Sequence, residues 1–241
     1  MRVKVVLSYD GSKFSGFQRQ NSGVKTVANR IEEILKSLGI FTKIRASGRT
    51  DSGVHALNQV IDFNLPSFWK DIIKLKKVIN YNALPDIFIK DIRVVDENFH
   101  SRYSAKKRVY RYMVSTLNPN VFMTDYLFYV KKIDEEAIKE AIKEFEGEYD
   151  FSLFKKSKGG EKNSIRKIYK TRFYKHKGTY VFTFEADGYL RSQIRMMVYF
   201  LLEISSKKLT IDDLKEQLRC EKKHSFGLVL PCGLYLSSIK Y

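Results

Sequence analysis

The chain has 241 residues, and its 44 Lys and Arg against 27 Asp and Glu give a formal net charge of +17. Apolar residues make up 44% of the chain, which suits one large domain or two small ones and excludes a disordered or fibrous protein. Two cysteines exclude a disulfide framework and a four-cysteine zinc site, and the longest apolar stretch is too short to span a bilayer. A soluble cytoplasmic protein is therefore expected. The charge favours a polyanionic partner, nucleic acid before a membrane surface, although basic residues kept for solubility are the plain alternative.

The first hundred residues alternate predicted strands and helices. A strand rich in β-branched residues covers 3–9. An amphipathic helix follows over 27–38, with Thr26 as its N-cap and Gly39 as its end. The further elements predicted in this half are strands over 41–46 and 60–63, a helix over 67–79 and a strand over 87–95.

The second half repeats this alternation. A strand over 108–115 places Tyr110 and Tyr112 on one face, because side chains in a strand alternate with a period of two. The further elements are a helix capped by Asp134 that ends at Gly147, a hairpin of strands 164–176 and 179–185, a mostly buried helix over 190–204, a short helix opened by a Thr210–Asp213 capping box, and a strand over 234–239. Mixed elements in both halves predict an α+β fold with two lobes, over 1–100 and 101–241.

The most unusual segment is a polar loop from Arg45 to Ala56. Gly48 and Gly53 frame the tripeptide Arg49-Thr50-Asp51. Glycine permits close approach of a ligand, arginine offers a planar fork for phosphate or a base edge, and aspartate offers a carboxylate that can act as nucleophile or base. By residue type alone, an Asx turn in a solvated loop explains the same pattern.

Seven segments, spread along almost the whole chain, form a series with a recognisable order. They are Tyr9-Asp10-Gly11 with Gly16-Phe17-Gln18-Arg19-Gln20, Gly48-Arg49-Thr50-Asp51-Ser52-Gly53-Val54-His55-Ala56, Asn82-Ala83-Leu84-Pro85-Asp86-Ile87, Phe99-His100-Ser101-Arg102, Arg108-Val109-Tyr110-Arg111-Tyr112, Gly147 with Asp150-Phe151-Ser152-Leu153-Phe154, and Pro231-Cys232-Gly233-Leu234-Tyr235-Leu236. The series resembles the tRNA pseudouridine synthase A family, and the segment around Asp51 resembles that family's catalytic loop. The shared order argues against a chance resemblance.

The resemblance implies an enzyme that isomerises uridine to pseudouridine in tRNA, at positions 38, 39 and 40 of the anticodon arm. It implies the α+β pseudouridine synthase fold, a long mixed and mostly antiparallel sheet flanked by helices, in two similar lobes with the active cleft between them. It further implies a cytoplasmic homodimer whose partner is tRNA, without metal or organic cofactor and with no expected contact to DNA or a membrane.

The resemblance also implies a catalytic set of three residues. Asp51 matches the carboxylate that can form a covalent intermediate, on the sugar or on carbon 6 of the base, and so divide one difficult step into two. Tyr110 matches the tyrosine that packs on the target uracil, and its hydroxyl is a candidate for moving the proton at carbon 5. Arg195 matches an arginine that would keep the carboxylate ionised. By residue type alone, Tyr110 fits a core aromatic and Arg195 a helix-surface arginine, although the apolar neighbours of Arg195 favour a buried, partnered charge.

Arg49 and a basic hairpin are the predicted RNA contacts. Arg49 matches the family arginine that fills the space of a flipped-out base, and its alternative is a loop arginine bonded to carbonyls. Residues 155–177 include ten Lys and Arg against one Glu, with aromatic residues interleaved. This pattern is typical of a surface for the tRNA backbone, although a solvated hairpin face has the same composition. The residues predicted to contact phosphates are Lys167, Lys170 and Arg172.

Three positions depart from the family pattern and leave the shape of the cleft and the target positions open. Ser52 stands where alanine is common, Tyr199 where glycine is usual, and the segment 230–234 is one residue shorter. Two other function classes fit part of the sequence: a non-catalytic tRNA-binding or folding module, and a metal-dependent nuclease. The intact catalytic set argues against the module, and four histidines without ligand spacing argue against the nuclease.

Overall fold

The computed structural model describes residues 1–20, 23–156 and 163–241, which divide into two compact units. Unit 1 spans 1–106 and 235–241, and unit 2 spans 107–234. Each unit combines helices with strands that pair mostly antiparallel, which confirms the predicted α+β class. In the described ranges, none of the helices is long and apolar enough to cross a membrane.

The sheet of unit 1 brings distant parts of the chain together. Its strands are β1 (Arg2–Tyr9), β2 (Arg45–Ala46), β3 (His55–Asn64), β4 (Ile87–Val95) and β10 (Leu234–Lys240). The order is β4–β1–β3–β10, with β2 beside β3. Because β10 pairs parallel with the start of β3, residues 235–241 lie in unit 1, whereas the sequence prediction puts them in the second lobe.

Two strands of unit 1 differ in length from their predictions. The strand predicted over 41–46 is wrong in most of its length, because only Arg45 and Ala46 pair with β3 and the side chain of Phe41 is 78% exposed. β3 starts at His55 rather than at position 60. Its first residues pair with β10, a partner that no local pattern around His55 reveals.

Two helices of unit 1 pack against each other, α1 (Val27–Ser37) and α2 (Ile72–Ala83). α1 starts as predicted, with Thr26 as its N-cap. The predicted start of α2 at position 67 is wrong. The Asp71 carboxylate accepts a hydrogen bond from the backbone N–H of Lys74 at 2.8 Å, so Asp71 is the N-cap and the residues before it lie outside the helix.

Unit 2 contains a second set of paired strands. They are β5 (Lys107–Ser115), β6 (Phe128–Tyr129), β7 (Gly147–Asp150), β8 (Ile165–His176) and β9 (Thr179–Ala186). Their order is β5–β9–β8–β7, with β6 beside β5. The β8–β9 hairpin is confirmed, and it turns at Lys177 and Gly178, which both have positive φ. β6 and β7 are too short to show a period of two, so the sequence does not predict them.

The strands of unit 2 have a buried face and an open face. The buried face carries four aromatic side chains that pair across strands, Tyr110 with Phe184 and Tyr112 with Phe182. On the open face Thr183 lies opposite Arg111 of β5 and opposite Arg172 of β8, and both arginines are exposed. Because neighbouring residues of a strand point to opposite faces, Tyr110 and Arg172 lie on different faces of the sheet.

The helices of unit 2 are α3 (Glu135–Ala141), α4 (Gln193–Ser205) and α5 (Ile211–Leu218). The capping box of Thr210 and Asp213 is confirmed at the start of α5. α4 starts three residues later than predicted. Ser192 has φ of 61°, and the Gln193 side chain accepts a hydrogen bond from the Leu190 N–H at 2.8 Å, so the turn before the helix is not helical. The helix predicted to reach Gly147 changes from α3 into a 3-10 turn over Ile142–Phe145.

Candidate active site

Asp51 lies in a tight turn of unit 1. The Val54 N–H donates to the Asp51 carbonyl at 3.2 Å, and Gly53 has φ of +76°, a left-handed conformation that glycine adopts without strain. Before the turn, the buried side chains of Ser47 and Gln59 are joined by a hydrogen bond of 2.6 Å, which ties the loop to β3. The side chain of Asp51 is partly exposed. The turn therefore holds the backbone of Asp51 in place and leaves the residue partly exposed.

The segment from Gly11 to Gly16 packs directly against this turn. A Cβ atom built on Gly11 would lie 2.1 Å from the Val54 carbonyl oxygen, and one on Gly16 would lie 3.1 Å from the Thr50 carbonyl oxygen. The Gly11 N–H donates to His55 Nδ1 at 3.0 Å. Only glycine allows this approach at Gly11, because any side chain would overlap the backbone of the turn. The opening motif of the sequence therefore packs against the backbone of the Asp51 turn and supports it.

Two buried side chains beside the turn have no local sequence signal that marks them as functional. The Tyr9 hydroxyl shares a buried hydrogen bond of 2.8 Å with Thr50 Oγ1. His55 is 2% exposed and stacks on Tyr235 of β10, with ring centroids 4.7 Å apart. Both residues occur in the motif series, but their contacts join positions far apart in sequence and have no local signal. They make the turn part of the packed core of unit 1.

The predicted site residues divide between the units. Asp51 and Arg49 belong to unit 1, whereas Tyr110 and Arg195 belong to unit 2. Arg49 is exposed, between the buried Ser47 and Thr50 along the chain. An exposed guanidinium beside a candidate catalytic carboxylate is placed to meet a polyanion.

Tyr110 lies on the buried face of β5, and its ring contacts that of Tyr189. The two ring centroids are 5.3 Å apart and the ring planes make an angle of 83°, so the rings meet edge to face. Tyr110 is 7% exposed. The sequence does not single out Tyr189, because its contact with Tyr110 depends on how the residues after β9 return toward β5. Its only sequence signal is its aromatic character shortly before Arg195.

Tyr112 lies two residues further along the same face and has a different environment. Its hydroxyl donates to the Leu230 carbonyl at 2.7 Å, and its side chain is fully buried. Burial is the main reason why the pKa of Tyr112 is raised far above its usual value. Tyr112 is therefore a satisfied core residue, which is the plain alternative that the sequence also allowed for Tyr110.

Arg195 lies in the first turn of α4. Its neighbours Ile194 and Met196 are buried, and Arg195 itself is half-buried. The guanidinium Nε donates to the Val229 carbonyl at 2.8 Å, and the Val229 N–H donates back to the Arg195 carbonyl at 3.3 Å. The Nε bond orients the guanidinium, and the backbone bond ties Val229 to the first turn of α4, so the side chain is oriented rather than a mobile surface arginine.

The open face of unit 2 carries the predicted phosphate contacts. Lys167, Lys170 and Arg172 are all exposed on β8. Glu185 lies opposite Lys170 and also pairs with Lys107 at 2.9 Å, so the positive charge is partly offset near Lys170. Two lysines of the predicted basic segment, Lys158 and Lys162, lie outside the described residues. The described part of the segment still presents its basic side chains to solvent.

Comparison with known proteins covers nearly the whole chain. A family model described as tRNA pseudouridine synthase matches residues 5–104 and 141–241. The tRNA pseudouridine synthase A of Helicobacter hepaticus is 37% identical over 243 residues, which cover 99% of this chain and 98% of that protein. The protein of the same name from Wolinella succinogenes is 37% identical over 235 residues, covering 98% and 92%. That from Geobacillus sp. is 36% identical over 250 residues, covering 100% and 98%.

The two matched ranges of the family model include the Asp51 turn and the Arg195 helix, while Tyr110 falls between them in a part that the relatives cover. A match of this extent, together with relatives of the same length and more than a third identical, shows that the chain belongs to the tRNA pseudouridine synthase family.

Proposed function

We propose that this enzyme isomerises uridine to pseudouridine in the anticodon arm of tRNA, at positions 38, 39 and 40, with Asp51 as the nucleophile. The observation that carries the assignment of Asp51 is its turn, which combines a fixed backbone with a partly exposed residue. Membership of the family supplies the reaction and the substrate class. The enzyme is accordingly an isomerase that acts in the cytoplasm.

The reaction explains why a carboxylate is needed. The bond between the sugar and N1 of uracil breaks, and a bond between the sugar and carbon 5 of the same uracil forms. Carbon 5 loses a proton and N1 gains one, so the reaction is balanced without a redox partner. Covalent attachment to Asp51, at the sugar carbon or at carbon 6 of the base, divides the exchange into two steps of lower barrier.

Three further residues have proposed roles around that chemistry. Tyr110 packs on the target uracil, a contact worth about 1–3 kcal/mol for a stacked base. Arg195, with its guanidinium oriented by the Val229 carbonyl, stabilises the ionised carboxylate of Asp51. Arg49 fills the space of the flipped-out uridine, which offsets part of an unstacking cost of a few kcal/mol. No metal or organic cofactor is required by these roles.

The proposed partners are tRNA and a second copy of the chain. The net charge of +17 and the exposed basic side chains of β8 support binding to the tRNA backbone. The homodimer is proposed from the family resemblance.

A single-turnover assay tests the proposed function directly. Unmodified tRNA that carries tritium at carbon 5 of uridine is incubated with the protein and a metal chelator, and the label released to water is measured. Release of tritium supports the synthase. Binding without release would support a non-catalytic module, and RNA cleavage that the chelator abolishes would support a nuclease.

Tyr110→Phe is expected to lower the rate of the chemical step by about 100-fold or more, the usual scale for a group that moves a proton. The ring remains and can still stack, so tRNA affinity should change little. The measurement is the single-turnover rate at saturating tRNA. The control is Tyr112→Phe, which loses the hydrogen bond to Leu230 and should cost about 1 kcal/mol of stability with little effect on rate. A near-wild-type rate for Tyr110→Phe would show that the ring acts by stacking alone.

Reversing Lys167, Lys170 and Arg172 to Glu is expected to weaken tRNA binding without changing the rate at saturating tRNA. Each lost phosphate contact should lower the slope of log affinity against log salt by about 0.7–0.9. The control is the same charge reversal at three exposed lysines of unit 1, Lys70, Lys74 and Lys77. An equal change of slope in both variants would mean that only net charge matters and that the open face has no special role.

A further inference from the structure

The Tyr189 hydroxyl is buried and, among the residues that the structure describes, has no hydrogen-bond partner. Three other buried polar atoms in the described ranges share this property, those of Arg2, Ser101 and Thr183, and Tyr189 stands out among the four because its ring contacts the proposed catalytic residue Tyr110. A buried polar group without a partner destabilises a fold, because it gives up its bonds to water and gains nothing in return. Departures of this kind are expected at functional sites.

The surroundings of this hydroxyl favour its neutral form. Burial raises the pKa of Tyr189 well above its usual value, and the nearby Tyr110, Asp187 and Glu185 act in the same direction. Arg108 opposes them without reversing the shift. At neutral pH the phenol therefore keeps its proton and can donate one hydrogen bond.

The ring geometry limits how Tyr189 can meet a base. The planes of Tyr110 and Tyr189 make an angle of 83°. A base stacked parallel to Tyr110 is therefore nearly perpendicular to Tyr189, so the two cannot stack on each other. A contact through the hydroxyl, the polar end of the Tyr189 ring, suits the polar edge of the base. Uracil presents two carbonyl oxygens on its edge, and both accept hydrogen bonds.

We propose that the Tyr189 hydroxyl donates a hydrogen bond to a carbonyl oxygen of the target uracil while the base packs on Tyr110. This inference rests on the proposed function, and it adds a substrate contact that orients the detached base during its transfer from N1 to carbon 5. The missing partner of the hydroxyl is then supplied by the substrate, which explains why the protein leaves this group unsatisfied.

Tyr189→Phe tests the inference because stability and activity should move in opposite directions. Removing a hydroxyl without a protein partner should leave the melting temperature unchanged or raise it. The loss of one hydrogen bond to the substrate should lower kcat/KM by about 10-fold. Tyr112→Phe is the matched control, since its hydroxyl is satisfied by Leu230 and its loss should lower the melting temperature while kcat/KM stays near wild type. An unchanged kcat/KM in Tyr189→Phe, or a fall in both quantities, would overturn the proposal.

A second measurement identifies the oxygen. The target uridine is replaced by 2-thiouridine or by 4-thiouridine, because sulfur is a weaker acceptor than oxygen. If Tyr189 donates to one of these positions, the corresponding thio substitution should slow the wild-type enzyme by a larger factor than it slows the Tyr189→Phe variant. The effects of the substrate change and the protein change are then non-additive, as expected for two groups in contact. Equal effects in both proteins for both analogues would contradict the contact. Absence of tritium release by the wild-type enzyme would instead contradict the proposed function, so the two failures are distinguishable.

Discussion

Asp51→Asn is expected to reduce pseudouridine formation to background while tRNA affinity stays within a few fold of wild type. Asparagine keeps the size of the side chain but removes the negative charge and the nucleophilic oxygen. Binding survives because most of the affinity for tRNA comes from phosphate contacts elsewhere. The measurements are tritium release for the reaction and filter binding for the affinity.

The matched control is the neighbouring Ser52→Ala. Ser52 is exposed, and its hydroxyl donates a long hydrogen bond of 3.4 Å to the Phe14 carbonyl. This variant should keep nearly the full rate, which separates loss of the carboxylate from disturbance of the turn. Appreciable turnover by Asp51→Asn would remove Asp51 from the mechanism.

Gly11→Ala is expected to abolish most activity and to lower stability together, although Gly11 is not proposed to touch the substrate. The new Cβ atom would lie 2.1 Å from the carbonyl oxygen and 2.3 Å from the carbonyl carbon of Val54. Both are backbone atoms, so no side chain can move aside and the Asp51 turn itself must shift. Overpacking of this kind typically costs about 1–3 kcal/mol, and a displaced nucleophile loses its alignment with the substrate. Thermal unfolding and the single-turnover rate measure the two effects.

Gly23→Ala is the control for Gly11→Ala. Gly23 has φ of +92°, but a Cβ atom there would meet no atom of the other described residues, beyond its chain neighbours, within 4 Å. The Gly23→Ala variant should therefore lose stability through backbone strain while its single-turnover rate stays near wild type. Wild-type rates for Gly11→Ala would show that Asp51 does not depend on close packing by the opening segment.

Local patterns predicted the elements whose cause is local. Thr26 and the pair Thr210 and Asp213 cap their helices as expected, because the capping bonds join residues three positions apart. The start of β3 at His55 was not predictable, since it depends on β10. The start of α2 was missed for a different reason, because the signal of Asp71 was present but the apolar residues before it suggested an earlier start.

The residues of the candidate site likewise divide into those with a local sequence signal and those whose role depends on distant contacts. Asp51 stands out through its flanking glycines and the family resemblance, and Tyr110 through the resemblance, since its place in a predicted strand by itself favours a core aromatic. The roles of Gly11 and Tyr189 depend on contacts across long stretches of chain, with Val54 and Tyr110 respectively. Their residue types alone, a glycine and an aromatic, have many uses and carry no such information.

The pairing of β10 with β3 has a consequence for how the enzyme is made. The Asn58 side chain donates to the Ser237 carbonyl, and these residues are 179 positions apart. During translation, all of unit 2 leaves the ribosome before the strand that completes unit 1. The β3 edge beside the Asp51 turn therefore stays unpaired for that whole interval and is open to association with other chains. A nascent chain released before residue 235 would lack the Tyr235 ring that stacks on His55, so the packing beside the Asp51 turn is complete only when β10 has been synthesised.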